Sequence, residues 1–174
     1  DALSAFRKEP GRSEQPLRLP VQDVYKFDAR RIIAGRVTAG SVKVGDSLVF
    51  SPSNKRATVK SIEAFNIDPP PVEGRAGQSV GVTLDEQIFV ERGEIASHQD
   101  KLPLVSTAFR ANLFWLGRKP LERGRRYQLR VATREVDCEV ATIHRIIDTM
   151  DLAQQQGSNV VNKNQVAELT IRAK

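Results

Sequence analysis

The segment Gly77-Gln78-Ser79-Val80-Gly81 matches G-x-S-x-G, the pattern that presents a nucleophilic serine in α/β hydrolases. In those enzymes the serine lies on a sharp turn between a strand and a helix, and a histidine accepts its proton. Here Ser79 leads into Val80–Leu84, whose alternation of apolar residues predicts a strand. The two histidines, His98 and His144, belong to different parts of the chain. We therefore interpret the two glycines as the opening of a strand and predict no catalytic residue.

A second short motif, Asn162-Lys163-Asn164-Gln165, resembles the N-K-x-D sequence that reads guanine. Its fourth position is Gln165, which has no carboxylate to accept hydrogen bonds from the guanine donors. The chain also lacks the G-x-x-x-x-G-K-[ST] loop, whose backbone amides surround phosphate oxygens. The residues thus predict an ordinary polar turn here and no nucleotide cofactor bound by this chain.

Metal-binding and thiol chemistry need more ligands than this sequence supplies. One cysteine, Cys138, and two distant histidines fall short of a zinc site, so we predict no metal site. Cys138 shares the apolar parity of Val136 and Val140, which favours a small core residue over a reactive thiol. A single cysteine cannot form an internal disulfide, and no signal peptide or membrane span is apparent. We expect a cytoplasmic protein that does not contact a membrane.

The most distinctive polar segment is basic. It contains seven arginine and lysine residues, which are Arg118, Lys119, Arg123, Arg125, Arg126, Arg130 and Arg134. Arginine binds carboxylates and phosphates with two parallel hydrogen bonds, but it is also common on solvated strand faces. A solvated face, a protein partner and a nucleic acid all remain possible, in that order of preference. As candidate partner-binding residues we select Arg118, Lys119, Arg123, Arg125 and Arg126.

The composition is that of a folded globular chain. Of its 174 residues 40% are hydrophobic and 28% are charged, close to the averages for globular domains. The 27 basic and 21 acidic residues leave a net charge of +6, which fits an acidic partner, an RNA contact or solubility alone. The length allows one medium domain or two small ones.

Short apolar runs separated by turn residues predict an all-β protein, either barrel or sandwich. Period-two alternation is clearest in Val80–Leu84, Tyr127–Val131 and Ala167–Ile171, and a hairpin turn is expected at Thr133–Glu135. In Arg56–Phe65 the phase changes, which predicts a β-bulge near Lys60. Helical periodicity is nearly absent, and we expect at most one helical turn, within His144–Ala153.

Glycines and polar segments indicate where strands turn and where domains end. Gly40 and Gly45 bracket a short apolar segment where we expect strands to turn with positive φ. Residues 1–15 are polar and are interpreted as a linker. The polar segment 96–106 is the expected boundary between a first domain at residues 16–101 and a second at residues 102–174.

These glycines also carry a family resemblance. Residues 31–46 fit R-x-x-x-G-R-V-x-x-G-x-[VIL]-K-V-G-D, which resembles the second domain of elongation factor Tu and its relatives. The stretch Gly74–Gly81 is similar to E-G-R-A-G-x-x-V-G, found later in the same barrel. This resemblance implies two consecutive small Greek-key β-barrels like domains 2 and 3 of elongation factor Tu.

Further motifs resemble one branch of that superfamily, the GTPase subunit of bacterial sulfate adenylyltransferase. Val82–Glu94 is similar to V-T-L-x-D-E-I-D-I-S-R-G-D, and Pro16–Val24 resembles F-R-F-P-V-Q-x-V. Thr142–Asp148 resembles the H-R-I-D segment of the second barrel with one extra residue, and Asn162–Gln165 departs from the usual L-N-E-x turn. The ordered set covers about residues 16–174.

The resemblance implies a non-catalytic role within a larger enzyme. That enzyme makes adenosine 5′-phosphosulfate and pyrophosphate from ATP and sulfate, with GTP and Mg²⁺ held by a GTPase domain that we expect to precede this chain. The barrels would contact that domain and relay its state to the adenylyl-transferring subunit, and we expect the second barrel to lack its last strands. The alternative is a fragment of a translation elongation or release factor, whose barrels bind tRNA and the ribosome. Salt-sensitive RNA binding would distinguish the alternative.

Overall fold

The computed structural model describes residues 12–27, 30–64, 67–150 and 152–173, so most of the predicted linker at residues 1–15 lies outside it. Within these ranges the chain forms fifteen strands and two short 3-10 turns, Arg12–Glu14 and Gln99–Lys101. The prediction of an all-β protein is confirmed. The strands divide into two compact units: the first extends to Val105 and also includes Ala132–Arg134, and the second comprises Ser106–Val131 and the residues from Glu135 onward.

The first unit is a closed barrel. Its strands are β1 Leu19–Phe27, β2 Arg30–Arg36, β3 Ser41–Lys43, β4 Ser47–Ser51, β5 Lys55–Glu63, β6 Glu73–Arg75, β7 Ser79–Leu84 and β8 Ile95–His98. Six of them are hydrogen-bonded in the order β1-β2-β7-β5-β4-β8, and β8 pairs with β1 to complete the circle. The other two, β3 and β6, form a small separate ladder. Closure leaves none of the six strands with an open edge.

Side chains fill the interior of this barrel. Phe50, Leu48 and Ile62 have no solvent-accessible surface, and they belong to one cluster with residues from β1, β2 and β7. This core arises because alternate residues of each strand point inward. Between β5 and β7 the register shifts from Val59 to Ser61, which confirms the predicted bulge at Lys60. Residues 96–98, expected in the boundary segment, are instead part of the strand β8 that closes the barrel.

The glycine-flanked turns before β3 and β4 have the expected backbone conformation. Gly40 has φ +69° and Gly45 has φ +91°. Between them, the turn from Lys43 to Asp46 is closed twice, because the Asp46 amide donates to the Lys43 carbonyl and the Asp46 carboxylate accepts from the Lys43 amide. The same carboxylate lies 2.9 Å from His98 Nε2 on β8. This turn is therefore fixed to the barrel wall as well as closed on itself.

The second unit is a smaller β domain. Its strands are β9 Ala108–Phe114, β10 Leu121–Glu122, β11 Arg126–Val131, β12 Arg134–Asp148, β13 Gln154–Gln155, β14 Val160–Val161 and β15 Gln165–Ala173. The main sheet runs β11-β12-β15-β9, with β13 added to β12, and β10 and β14 form a two-stranded ladder. Its core contains Ile146, Val161, Ala167 and Leu169, each at most 1% exposed. The hairpin of β11 and β12 is confirmed, but its turn is Ala132–Thr133 and not Thr133–Glu135, because Arg134 and Glu135 begin β12.

At most one helical turn was expected within His144–Ala153, and the first five residues of this segment form none. Residues 144–148 continue β12, a strand of 15 residues. Two register shifts, between Val140 and Thr142 and between Ile143 and Arg145, each move the apolar positions to the opposite parity. The buried residues of this strand are therefore Cys138, Val140, Ile143 and Ile146, and from Val140 onward their spacing of three imitates a helix in the sequence.

Candidate partner-binding surface

The five selected basic residues lie on successive connections of the second unit. Arg118 and Lys119 occupy the bend after β9, whereas Arg123 and Arg125 flank the turn that links β10 to β11, and Arg126 begins β11. All five side chains are exposed. The structure thus places two of them in one bend and three around the following turn.

An aromatic pair holds the bend against the core. Trp115 Nε1 donates a hydrogen bond of 2.9 Å to the Lys119 carbonyl, and the Trp115 ring meets Tyr127 edge to face at 6.0 Å between centroids. The Tyr127 hydroxyl accepts a hydrogen bond of 2.7 Å from the Glu122 amide. Trp115, which follows the end of β9, also packs on the core cluster, whereas Phe114 is half exposed. These contacts give the basic connections a fixed base.

Two of the five basic side chains are engaged within the domain. Arg123 Nε donates 3.0 Å to the Ala141 carbonyl, and the Arg123 amide donates to the Asn159 carbonyl. Arg125 forms an ion pair of 3.5 Å with Glu122. Both interactions occupy hydrogen-bond donors that would otherwise be available to a binding partner. Arg123 and Arg125 therefore shape the turn more than they present charge.

The other three candidates present their charge to solvent. In the described part of the chain, no ion pair or hydrogen bond involves the side chains of Arg118, Lys119 or Arg126. Each can thus accept a carboxylate without first losing an intramolecular partner. Of the remaining basic residues, Arg130 is paired with Glu135. Of the five candidates, three side chains are therefore available to bind a partner, and Arg123 and Arg125 are held by contacts within the domain.

The hydrolase-like motif has no triad geometry. Ser79 is an exposed residue at the start of β7, and a strand follows it in place of a helix. His98 is bonded to Asp46 within the first unit, and His144 Nε2 lies 2.8 Å from the Thr170 hydroxyl within the second. The interpretation of this motif as the opening of a strand is confirmed.

The Asn162–Gln165 motif forms a polar turn before β15. Gln165 is buried, and its side-chain oxygen accepts from the Asn162 amide at 2.8 Å while its side-chain nitrogen donates to Asp148 at 3.2 Å. The hydrogen bond from the Met150 amide, together with that from Gln165, lowers the pKa of the Asp148 carboxyl. Every polar atom of the Gln165 amide group is thus used within the fold, as expected for a structural turn.

Cys138 is a core residue, as predicted from its parity. Only 4% of its surface is exposed, and burial raises the pKa of its thiol, with the nearby Asp137 charge adding to the effect. Among the described residues, no group of three or more His, Cys, Asp or Glu side chains could hold a metal ion. No helix in the described ranges combines the length and hydropathy that crossing a bilayer requires.

The sequence did not reveal the outer face of the second unit's sheet. Arg145 and Ile147 were assigned to a possible helical turn, yet both lie on β12 with their side chains partly exposed. The signal that could have found them is the strict alternation of β15, whose outward positions include Val166 and Glu168. The partners of these positions on other strands depend on register, which the sequence does not provide.

Comparison with known proteins supports the fold and the resemblance. The family described as GTP-eEF1A C-terminal domain-like matches residues 108–174. Crystallographic coordinates of Sup35 with GDP superpose with a TM-score of 0.82 over 93% of this chain and 40% of that one, at 18% identity. At that identity the likeness shows the fold, which is that of elongation-factor-Tu-like domains 2 and 3.

Sequence relatives are more specific. Sulfate adenylyltransferase subunit 1 of Shewanella oneidensis is 35% identical over 164 residues, which are 91% of this chain and 33% of that protein. The same subunit of Laribacter hongkongensis is 29% identical over 97% of this chain and 35% of its own length. The bifunctional enzyme NodQ of a Rhizobium species is 29% identical over 98% of this chain and 27% of its own.

The chain therefore spans about a third of the length of the curated relatives it matches. The aligned part contains the closed barrel and the second β domain. Over most of its length, this chain is a homologue of sulfate adenylyltransferase subunit 1, and it corresponds to the β-barrel domains of that protein.

Proposed function

We propose that this chain is the non-catalytic barrel region of the GTP-hydrolysing subunit of a cytoplasmic sulfate adenylyltransferase. The parent enzyme would convert ATP and sulfate into adenosine 5′-phosphosulfate and pyrophosphate. GTP and Mg²⁺ would be bound by a GTPase domain elsewhere in the parent protein. The barrels would relay the state of that domain to the adenylyl-transferring subunit.

The observation that carries this proposal is the 35% identity with sulfate adenylyltransferase subunit 1 across 91% of the chain. The physical character of the first unit is consistent with a relay. Its interior is occupied by side chains such as Phe50 and Ile62, which have no exposed surface. A close-packed barrel resists deformation, so a movement at one of its faces is passed on as a movement of the whole body.

Contact with the adenylyl-transferring subunit is proposed to involve the second unit. Arg118, Lys119 and Arg126 project charge that no neighbouring side chain neutralises within the described residues. Exposed ion pairs contribute roughly 0.2–1 kcal/mol each, so three of them would change affinity by about threefold to a hundredfold. Arg123 and Arg125 would act indirectly by holding the shape of the turn.

The test uses the protein at its full encoded length. A variant with Arg118, Lys119 and Arg126 all changed to glutamine should bind the adenylyl-transferring subunit at least threefold more weakly. Its GTP hydrolysis should be unchanged without the partner, while GTP-dependent pyrophosphate release with sulfate should fall. A control with Arg36, Arg56 and Lys60 changed to glutamine removes the same charge from exposed positions of the first barrel.

Two results would count against the proposal. One is the absence of any association with an adenylyl-transferring subunit or of sulfate-dependent pyrophosphate release. The other is tRNA binding that weakens steeply with salt and is lost in the first triple variant, which would favour the translation-factor alternative. Equal weakening in both triple variants would show that net charge matters and that the three positions do not.

A further inference from the structure

The outer face of the second unit's sheet carries an apolar row at one end. Ile147 on β12 is paired with Val166 on β15, and Val166 is paired with Phe114 on β9. Paired residues lie on the same side of a sheet. Ile146 and Ala167, which are next to them in sequence, are buried in the core, so the row faces away from it. Phe114 is 50% exposed. We call Phe114, Ile147 and Val166 the apolar row.

The loops at this end extend the apolar surface. Leu116 follows Phe114 by two residues and is 64% exposed, while Met150 and Leu152 lie in the connection between β12 and β13 and are 94% and 73% exposed. The Thr149 hydroxyl and the Trp115 carbonyl both bind Asn164, which brings the two loops to the same end of the sheet. Isolated exposed apolar residues are ordinary, but several at one end of a sheet are typical of an interaction site.

The next row along the same face is basic. Arg145 is paired with Glu168, and both Arg110 and Arg145 direct their guanidinium groups to the Glu168 carboxylate, at 2.8 Å and 3.9 Å. Two cations therefore share one anion. Arg145 Nε is buried and has no hydrogen-bond acceptor. Among the described residues, this row thus has two positive charges for one negative charge, and one donor without an acceptor, beside the apolar row.

We propose that this face binds a segment of another protein that combines apolar side chains with an adjacent carboxylate. The apolar side chains would cover the apolar row, and the carboxylate would bind between Arg110 and Arg145. The charge argues for this occupant, since a second copy of the chain would bring a like-charged face to this one. A double-stranded nucleic acid would leave the apolar row uncovered, because it presents mainly phosphates and sugars on its outside. The inference is independent of the proposed function and of the three cations considered there.

The first step of the test is a selection from a random dodecapeptide library displayed on phage, with this chain as the immobilised target. Enriched peptides should contain aromatic or aliphatic residues next to Asp or Glu. The two most enriched peptides are then synthesised with a fluorescent label, and their affinities are measured by anisotropy in low and moderate salt.

Variants then locate the binding site. Changing Phe114 and Val166 to threonine, which suits strands, should weaken peptide binding about tenfold or more. Arg145→Gln should weaken it about threefold to tenfold and reduce its salt dependence. Arg172→Gln is the matched control. Arg172 lies on the same face of the sheet, but at the end opposite to the apolar row, where it forms an ion pair with Glu139. The control should change the affinity less than twofold.

A further variant guards against loss of folding. Leu152 has φ +59°, a conformation that asparagine adopts more readily than leucine. Leu152→Asn should therefore leave the far-ultraviolet circular dichroism spectrum unchanged, while the affinity for the peptide should fall at least twofold. A fall in affinity without a change in the spectrum would show that the loop contributes contact area.

Other outcomes would overturn the proposal. These are no enrichment of acidic, apolar peptides, equal losses in the control and the test variants, or binding that all these substitutions leave unchanged. Concentration-dependent dimers in sedimentation that the double threonine variant abolishes would assign the face to a second copy. Binding of a uridine oligonucleotide that depends on Arg145 but not on Phe114 would assign it to nucleic acid.

Discussion

Replacement of Gly40 by alanine should destabilise the first barrel more than the same replacement at Gly45. Both residues have positive φ, so an alanine is conformationally strained at either position. Their surroundings differ. A Cβ at Gly40 would lie 2.6 Å from the Leu17 amide nitrogen, the Leu17 Cα and the Gln15 carbonyl oxygen, whereas a Cβ at Gly45 would meet nothing within 4 Å. The comparison separates the steric cost from the conformational one.

The expected magnitudes follow from these two terms. The left-handed conformation costs an alanine about 1–2 kcal/mol, and the smaller entropy of the unfolded chain returns about 0.4–1 kcal/mol. Gly45→Ala should therefore reduce the free energy of unfolding by about 1 kcal/mol. At Gly40 the clash involves backbone atoms, which cannot rotate away as a side chain would, so a further loss of about 1–3 kcal/mol is expected.

Urea unfolding followed by far-ultraviolet circular dichroism measures both changes. The melting temperature provides a second reading, since 1 kcal/mol corresponds to roughly 4–8 °C for a domain of 60–100 residues. Gly40→Ala should melt at least about 4 °C below Gly45→Ala. If the two variants are equally stable, the close approach of residues 15–17 to Gly40 does not constrain the barrel, and the reasoning is refuted.

Three further outcomes are expected. The hydrogen bond from the Thr58 amide lowers the pKa of the Asp85 carboxyl in the folded protein. The stability that Asp85 contributes is therefore complete above its unfolded pKa of about 4. It is lost as the pH falls through the lower pKa of the folded state. Asp85→Asn should therefore show a shallower loss of stability in urea titrations below about pH 4, and an unchanged slope would contradict this. Trp115→Phe removes the hydrogen bond to the Lys119 carbonyl and should lower the free energy of unfolding by roughly 0.5–1.5 kcal/mol, measured in urea; a value near zero would mean that the bond does not hold the bend. Cys138 should react with a disulfide reagent in urea but only slowly in the native protein, because its thiol is buried and its pKa is raised; rapid native labelling would show that this region of the core opens.

Much of the first unit could be predicted because its signals are local. The alternation of Val80–Leu84 defines β7, and the positive φ of Gly40 and Gly45 follows from residue type. Even the bulge at Lys60 appears in the sequence as a change of apolar parity. Each of these features depends on residues within one strand or one turn.

The second unit was harder to predict because its main strand is irregular. Two bulges in β12 replace the period of two by a spacing of three, so residues 144–148 imitate a helical turn. The apolar row depends on pairing between Phe114, Ile147 and Val166, which are far apart in sequence. The basic residues were found from composition, but only their contacts distinguish the engaged Arg123 and Arg125 from Arg118, Lys119 and Arg126.

The contacts of Trp115 provide the molecule with an optical probe. It is the only tryptophan of the chain. Its indole nitrogen donates a hydrogen bond to the carbonyl of Lys119, next to Arg118, and its ring contacts Tyr127 edge to face. Indole emission depends on the polarity around the ring and on its hydrogen bonds. A ligand that orders or displaces the bend should therefore change the intrinsic fluorescence, so that occupancy can be titrated on the unlabelled protein.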